Sequence, residues 1–557
     1  MAEVITNLAT YERQGEILAS LQNIQDNLVP PLVGSIGHCV GCVLRVDTAN
    51  DKVYLHWQDP ADNIVNGMTF AQWAQTDVYK KYGSAPQFPG DGTLVVSETT
   101  RNQYSSASSW YEDSQASGGD WHYRAFPKTT AGYVNVNDKN NFKAYTVYAF
   151  VLDETDSDEA TCVTYAEDCA GFTPISMNFT TADADTTADA VCDAWNRGSW
   201  GGAFFMPRPC MLRSDGTVDY YLDEGDNNYK AGTNRTVASD IANPSYDGNA
   251  MMQFPAIYTK VVRDATAGTL TVYFSDAKVD ADYECYPCLR ADGTYAEYFY
   301  LPIFEGTVVS DKMRSIIPTA TTKPWASTTS TQEQKAAELN GTGWGTTTWA
   351  DEDLMRMLGI LVTRRLNTQA ALGYLAGEST SALTNYVGKG AKKGLFYGHT
   401  TTSNPSNMKF FGMENWWGHR WRRCQGLNLV NGTLYMKLTR STADGSKTPE
   451  YITSDTAGDY TRDYKSTGVS VPTNWSVSFI VGIVGIKGCV TAPKVADGSG
   501  SDASYFCDAT WSSSGVRCLY CGGSVGSSSR AGLFASTLDL APSHAYWAYG
   551  ASLSYHT

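Results

Sequence analysis

The last 63 residues of the chain, 495–557, contain no Lys, Glu, Gln, Met, Asn or Ile, although all six occur earlier. A surplus of basic charge is also missing: 42 Lys and Arg stand against 58 Asp and Glu, for a net charge of −16. This argues against nucleic acid as a partner, because no basic patch is available to meet phosphates. A long apolar run is absent as well. The most apolar stretch, 477–486, is ten residues with Gly482 and Gly485 inside it, far short of the roughly 20 a membrane helix needs. No membrane insertion is expected, and 477–486 reads as a buried strand. The first residues show no basic region followed by an apolar core, so no secretory signal is read there.

What is present is a chain of 557 residues with 12% aromatics, 50 Gly and 20 Pro. The length favours about three to five domains. The composition favours strands and turns around few helices. The expected fold class is multidomain and mostly β, with an N-terminal helix, β-rich middle modules and a C-terminal α+β domain.

Thirteen cysteines include three CxxC pairs, Cys39/Cys42, Cys285/Cys288 and Cys518/Cys521. The pairs lie hundreds of residues apart without a second hook or a spaced His. Buried free thiols are therefore expected, with zinc as the open alternative. Cys285–Cys288 sits in a Tyr-rich turn region, not at the strand-to-helix junction a redox motif uses.

Along the chain, Ile17, Leu21, Ile24 and Leu28 follow a helical seam ended by Pro30-Pro31. It predicts over 1–30 either a helix packed on its own domain or a short self-association helix. Residues 52–57 and 93–97 alternate as strands of a β-rich domain over 31–127, and 145–152 reads as a further strand. The acidic run 153–159 reads as a solvated loop, since it lacks the glycine and terminal glutamate of a calcium loop. Residues 321–341, rich in Thr, Ser and Ala, read as a linker. After them, 351–365 predicts the best helix, with Leu354, Met357, Leu358 and Leu361 on one face and acids in its first turn. Asp351, Glu352 and Asp353 are thereby helix-start residues, not catalytic carboxylates. Residues 410–423 hold Trp416, Trp417 and Trp421 between glycines that permit close backbone approach, and predict a core-forming strand or turn.

Several motifs recur in order through the middle of the chain: 162–174, 204–221, 247–258, 298–302 and 312–315. Together they resemble modules of large tail-associated proteins of phages and prophages from gut bacteria. The resemblance implies β-rich virion modules over 128–330. The segment Gly412-Met413-Glu414-Asn415-Trp416-Trp417-Gly418-His419-Arg420-Trp421 is similar to the motif of C-type-lectin-like domains related to the formylglycine-generating enzyme. That resemblance implies such a domain over 331–557.

Within it, Arg517-Cys518-Leu519, Gly522-Gly523, Ala531-Gly532-Leu533-Phe534 and then Ser543, Ala545, Trp547, Gly550 and Leu553 follow the spacing of the variable proteins of diversity-generating retroelements. In that branch a reverse transcriptase randomises adenines of AAC codons. Such randomisation never yields Lys, Glu, Gln or Met and erodes Asn. It can yield Ile, so the missing Ile stays unexplained.

The resemblance implies a frame of anchors, Trp511 and Trp547 among them, carrying exchangeable positions that contact a ligand. The expected ligand-facing residues are Ser524, Gly526, Ser527, Asp539, Leu540, His544, Tyr546 and Ala548, with Tyr505, Ser512 and Ser536 as weaker candidates. Cys521 falls at a position expected to vary. His544 is read as a contact residue, not an acid or base. Small residues and Tyr suit such a surface because they give adaptable contacts at low entropic cost.

The implied role is a non-enzymatic receptor-binding protein of a virion tail tip or fibre. Its implied partners are a bacterial surface protein or glycan and other tail proteins. A homo-oligomer is expected, a trimer being favoured, and no cofactor, catalytic residue or metal is expected. The alternatives left open are an invariant structural tail component, an oxidase of the formylglycine-generating type using Cys518/Cys521, or a polysaccharide depolymerase.

Overall fold

The computed structural model describes residues 35–556 apart from 48–49, 66, 106–108, 115–119, 185–189, 291, 320–322, 325, 374–386, 401–407, 439–463 and 498–499. The expected N-terminal helix over 1–30 lies outside the described residues. The chain is mostly β and forms two compact units. The first holds 1–146 with 277–283, and the second holds 147–276 with 284–557.

In the first unit, Val40–Asp47 pairs with Lys52–Gln58 and Trp73–Tyr82 pairs with Trp121–Thr129, all antiparallel. Alternation along Lys52–Gln58 turns Val53, Leu55 and Trp57 inward, where they meet Val78, Tyr123, Ala125 and Phe142. Period-two placement of apolar side chains on one face is what fixes a strand's register.

The second unit crosses the expected domain boundary at 330/331. A six-stranded sheet runs in the order Val218–Tyr221, Arg208–Arg213, Gly248–Pro255, Tyr298–Pro302, Leu553–Tyr555 and Trp344–Thr346. The C-terminal strand thus sits between a strand of the middle region and one of the C-terminal region. The boundary expected at 127/128 likewise differs from the division observed at 146/147. A nine-stranded sheet carries the tail. Its centre is Trp421–Val430, Val516–Cys521 and Ser536–Leu540, the middle strand antiparallel to both neighbours, with Tyr549–Gly550 pairing parallel to Trp421–Val430.

The expected helix is observed over Trp349–Thr363, started by a capping box between Thr348 and Asp351. Its expected one-sided apolar face is corrected: every residue of it is buried. Glu352 and Asp353 are satisfied by buried partners instead of solvated. Asp353 accepts hydrogen bonds from the Val490 and Thr491 amides and the Thr491 hydroxyl, and Glu352 pairs with Arg356 and Arg422.

The linker reading of 321–341 is also corrected, because Ser330–Glu338 is a helix with a Thr329/Gln332 capping box. The signal was in the sequence, because Thr329 and Gln332 make a capping pattern and 332–338 are good helix formers. The acidic run at 153–159 forms turns, with Asp153 bonded to Thr155; its end departs from the expected solvated loop, since Glu159 is buried and paired with Arg365. Residues 477–486 contain the strand Ser478–Ile483. Among the described residues, no helix is long and apolar enough to cross a membrane.

Candidate functional site

The tail's fixed positions are held by sterics. Gly522 and Gly523 adopt left-handed backbone, with φ of 89° and 79°. A Cβ on Gly522 would stand 2.8 Å from the Trp416 carbonyl oxygen, and one on Gly523 2.7 Å from the Ala531 Cβ. A Cβ on Gly532 would run into the Asp508 carboxylate, which accepts the Phe534 amide at 2.8 Å. Leu533, Phe534 and Leu553 are fully buried. Burial pushes the Asp508 carboxyl up to about 7.

Over this frame lies a concavity of about 350 Å³. Of the eight principal ligand-facing residues expected from sequence, seven line it: Ser524, Gly526, Ser527, Asp539, Leu540, Tyr546 and Ala548. Three elements bring them together. The turn Val525–Arg530 follows Gly523, the strand Ser536–Leu540 pairs with Val516–Cys521, and the segment 541–549 returns the chain across Trp421–Val430.

Gly526 is exposed, and a Cβ there would meet only the Ser524 hydroxyl, at 3.8 Å. Tyr546 is 48% exposed. Ser524, Ser527 and Ala548 form the packed wall, each less than a tenth exposed, with the Ser524 amide donating to the Ser527 hydroxyl at 3.1 Å.

His544 is exposed but stands outside the concavity, its ring 5.3 Å from that of Tyr549. The three weaker candidates lie elsewhere. Ser512 is buried, donating to the Pro472 carbonyl at 2.6 Å. Ser536 is fully buried between Arg356 and the Phe534 carbonyl. Tyr505 sits in left-handed backbone with its amide bonded to the Ser157 carbonyl. The ligand-facing expectation for Ser512 and Ser536 is thereby corrected: their hydroxyls are used up inside the frame.

Cys521 is corrected in the same way. It is fully buried with its sulfur 3.4 Å from that of Cys424, so exchange there would disturb the core. All thirteen cysteines are free and buried. Among the described residues, Glu352, Cys424 and Cys521 form the one group with metal-ligating atoms close together. Both carboxylate oxygens of Glu352 are taken by Arg356 and Arg422.

The concavity also uses residues that sequence reasoning left out as contacts. Trp511 and Trp547, read as frame anchors, are half-buried and line it together with Trp421, Tyr549, Thr537 and Arg530. Trp421 and Trp511 meet edge-to-face at 5.6 Å, the favoured aromatic geometry. Burial, reinforced by Asp539 nearby, pushes the Tyr549 phenol up to about 12, so it stays a neutral donor. The Arg530 signal was available, since it is one of only two basic side chains after Lys494 apart from histidine. The arrangement offers aromatic faces, hydroxyls, one carboxylate and one guanidinium on a concave surface, the usual make-up of a recognition site.

Compared with known proteins, the chain matches no family model and no curated protein.

Proposed function

We propose that this chain is a receptor-binding protein of a phage tail, whose C-terminal region displays exchangeable side chains that bind a bacterial surface protein or glycan. The observation that carries the reading is the convergence of Ser524, Gly526, Ser527, Asp539, Leu540, Tyr546 and Ala548 on one concavity. They are spread over 25 positions of the chain and are brought together from three separate elements. The contrast between Gly523, where a side chain has no room, and Gly526, where it does, supports the division into frame and display. In this reading the protein binds without turnover, as a homo-oligomer, with a trimer favoured, alongside other tail proteins. Several copies on one particle convert weak single contacts into avidity when several receptors are reached at once.

The test exchanges the seven lining residues together for other small, Tyr or His side chains and measures adsorption of the particle to its host. Loss of adsorption by a variant that still folds is expected. Unchanged adsorption to the same host rejects the reading. Independently, the source genome should hold a near-copy of the codons for 505–553 differing at adenines, beside a reverse transcriptase gene.

A further inference from the structure

The segment 541–549 supplies Tyr546, Trp547, Ala548 and Tyr549 to the concavity, yet only its end, Tyr549–Gly550, belongs to a strand. Its main chain is gripped from several directions. Arg423 Nη2 donates to the His544 carbonyl at 2.8 Å. The Ser330 amide donates to the Pro542 carbonyl at 3.1 Å, the Ser327 amide to the Tyr546 carbonyl at 3.2 Å, and the Trp421 amide to the Ala548 carbonyl at 2.8 Å. Each of these bonds ends on a backbone oxygen. A carbonyl is the same whatever side chain the residue carries, so this grip is indifferent to the sequence it holds.

Arg423 is itself fixed. It is fully buried, and its Nη1 lies 2.7 Å from a Glu333 carboxylate oxygen. Nε and Nη2 donate to the Tyr520 hydroxyl at 3.0 and 2.6 Å, and the guanidinium also reaches the Thr328 carbonyl. A planar fork serves these acceptors at once, whereas a lysine ammonium is a single point of charge. Glu333 comes from the helix Ser330–Glu338, whose first residue, Ser330, and the preceding Ser327 also hold the loop.

We propose that Arg423, held by Glu333, is the positioning residue of the binding loop: its bond to the His544 carbonyl, beside the amides of Ser327, Ser330 and Trp421 on the neighbouring carbonyls, fixes the main chain of 541–549, so that the exposed side chains at 544 and 546 can be exchanged while the loop keeps its shape. The proposal rests on the concavity being the binding site. Arg423 touches no ligand in this scheme. It sets the geometry from which the exchangeable residues project, and a preorganised loop binds better because less ordering remains to be done on contact.

The test is hydrogen exchange of the full chain, read at the amides of 541–549 and, as an internal control, at the helix Trp349–Thr363. Arg423→Lys keeps a charge opposite Glu333 and loses the fork. It should lower protection of the loop amides by about tenfold or more, as expected when a segment opens locally, and leave the helix protected. His544→Ser and Tyr546→Ser should leave loop protection unchanged. Release of the Arg423→Lys protein from host cells should speed up by a similar factor.

Loop amides protected as in the parent chain overturn the proposal, and so does a loosened loop whose release from cells is unchanged. If the parent chain itself fails to bind cells, the receptor reading falls, while the exchange data still decide whether Arg423 positions the loop. Should Arg423→Lys unfold the helix as well, Glu333→Gln combined with Arg423→Gln removes both buried charges together. The same loop readout then applies, with the same outcomes.

Discussion

Glu352 on the buried helix and Arg422 on the central strand meet at 2.6 Å, and almost nothing of either side chain is exposed. Glu352 also holds Arg356 one helical turn away at 3.1 Å. Arg422 in turn lies 3.6 Å over the Trp416 ring and donates to the Trp416 carbonyl at 2.7 Å. This network ties the helix to the tryptophan-rich segment beneath the concavity. Glu352→Ala leaves two buried guanidinium groups without their shared carboxylate, and should cost about 3–5 kcal/mol in denaturant unfolding. Removing the exposed Arg213–Asp219 pair by Arg213→Ala should change stability by less than about 1 kcal/mol.

Two glycines three positions apart test the division between frame and display. Gly523→Ala places a methyl 2.7 Å from the Ala531 Cβ in left-handed backbone, and should destabilise the protein by about 1–3 kcal/mol. Gly526→Ala enters open space and should stay within about 0.5 kcal/mol of the parent. Thermal unfolding of the two variants side by side measures both. Equal effects would remove the structural basis for treating these positions differently.

Much of this arrangement is legible in the sequence because it is local. The helix Trp349–Thr363 announces itself, two residues late, by its apolar period and first-turn acids, and the seven lining residues through the motif spacing that carries the family resemblance. What escaped is non-local. Nothing in Leu553–Tyr555 says that it will pair with both Trp344–Thr346 and Tyr298–Pro302, so a sheet that unites two supposed domains could not be foreseen. The burial of Glu352 and Asp353 depends in the same way on partners 70 and more residues away. Trp511 and Trp547 were read as frame alone because an anchor and a contact look identical in sequence when one indole does both.

Asp508 predicts a pH dependence. Burial holds its carboxyl at about 7 in the folded chain, against an ordinary value near 3.9 when unfolded. Between those values the folded state keeps a proton that the unfolded state has lost, so stability falls as pH rises from about 4 to 7. The full effect is up to about 4 kcal/mol. Asp508→Asn mimics the protonated form and should flatten that part of the profile. Unfolding midpoints of the two proteins across this range supply the check, and parallel slopes would contradict the assignment.

Tyr546 separates binding from folding most cleanly. Its ring is about half exposed and leans on Trp547 and Tyr549 with centroids 5.3 and 5.8 Å away. Its backbone carbonyl, not its side chain, is what Ser327 holds. Tyr546→Ala should therefore shift stability by no more than about 0.5 kcal/mol. In the receptor-binding reading the same change removes a rigid aromatic contact at the mouth of the site, where losses of about 2 kcal/mol or more are typical. That corresponds to roughly 30-fold weaker attachment. Trp421→Ala gives the contrast, because Trp421 is 8% exposed and packs against Trp511, so both stability and attachment should fall. Attachment to host cells measured with purified protein, together with melting curves, distinguishes the two. A Tyr546→Ala protein that holds its cells as tightly as the parent would show that this concavity is not where the receptor sits.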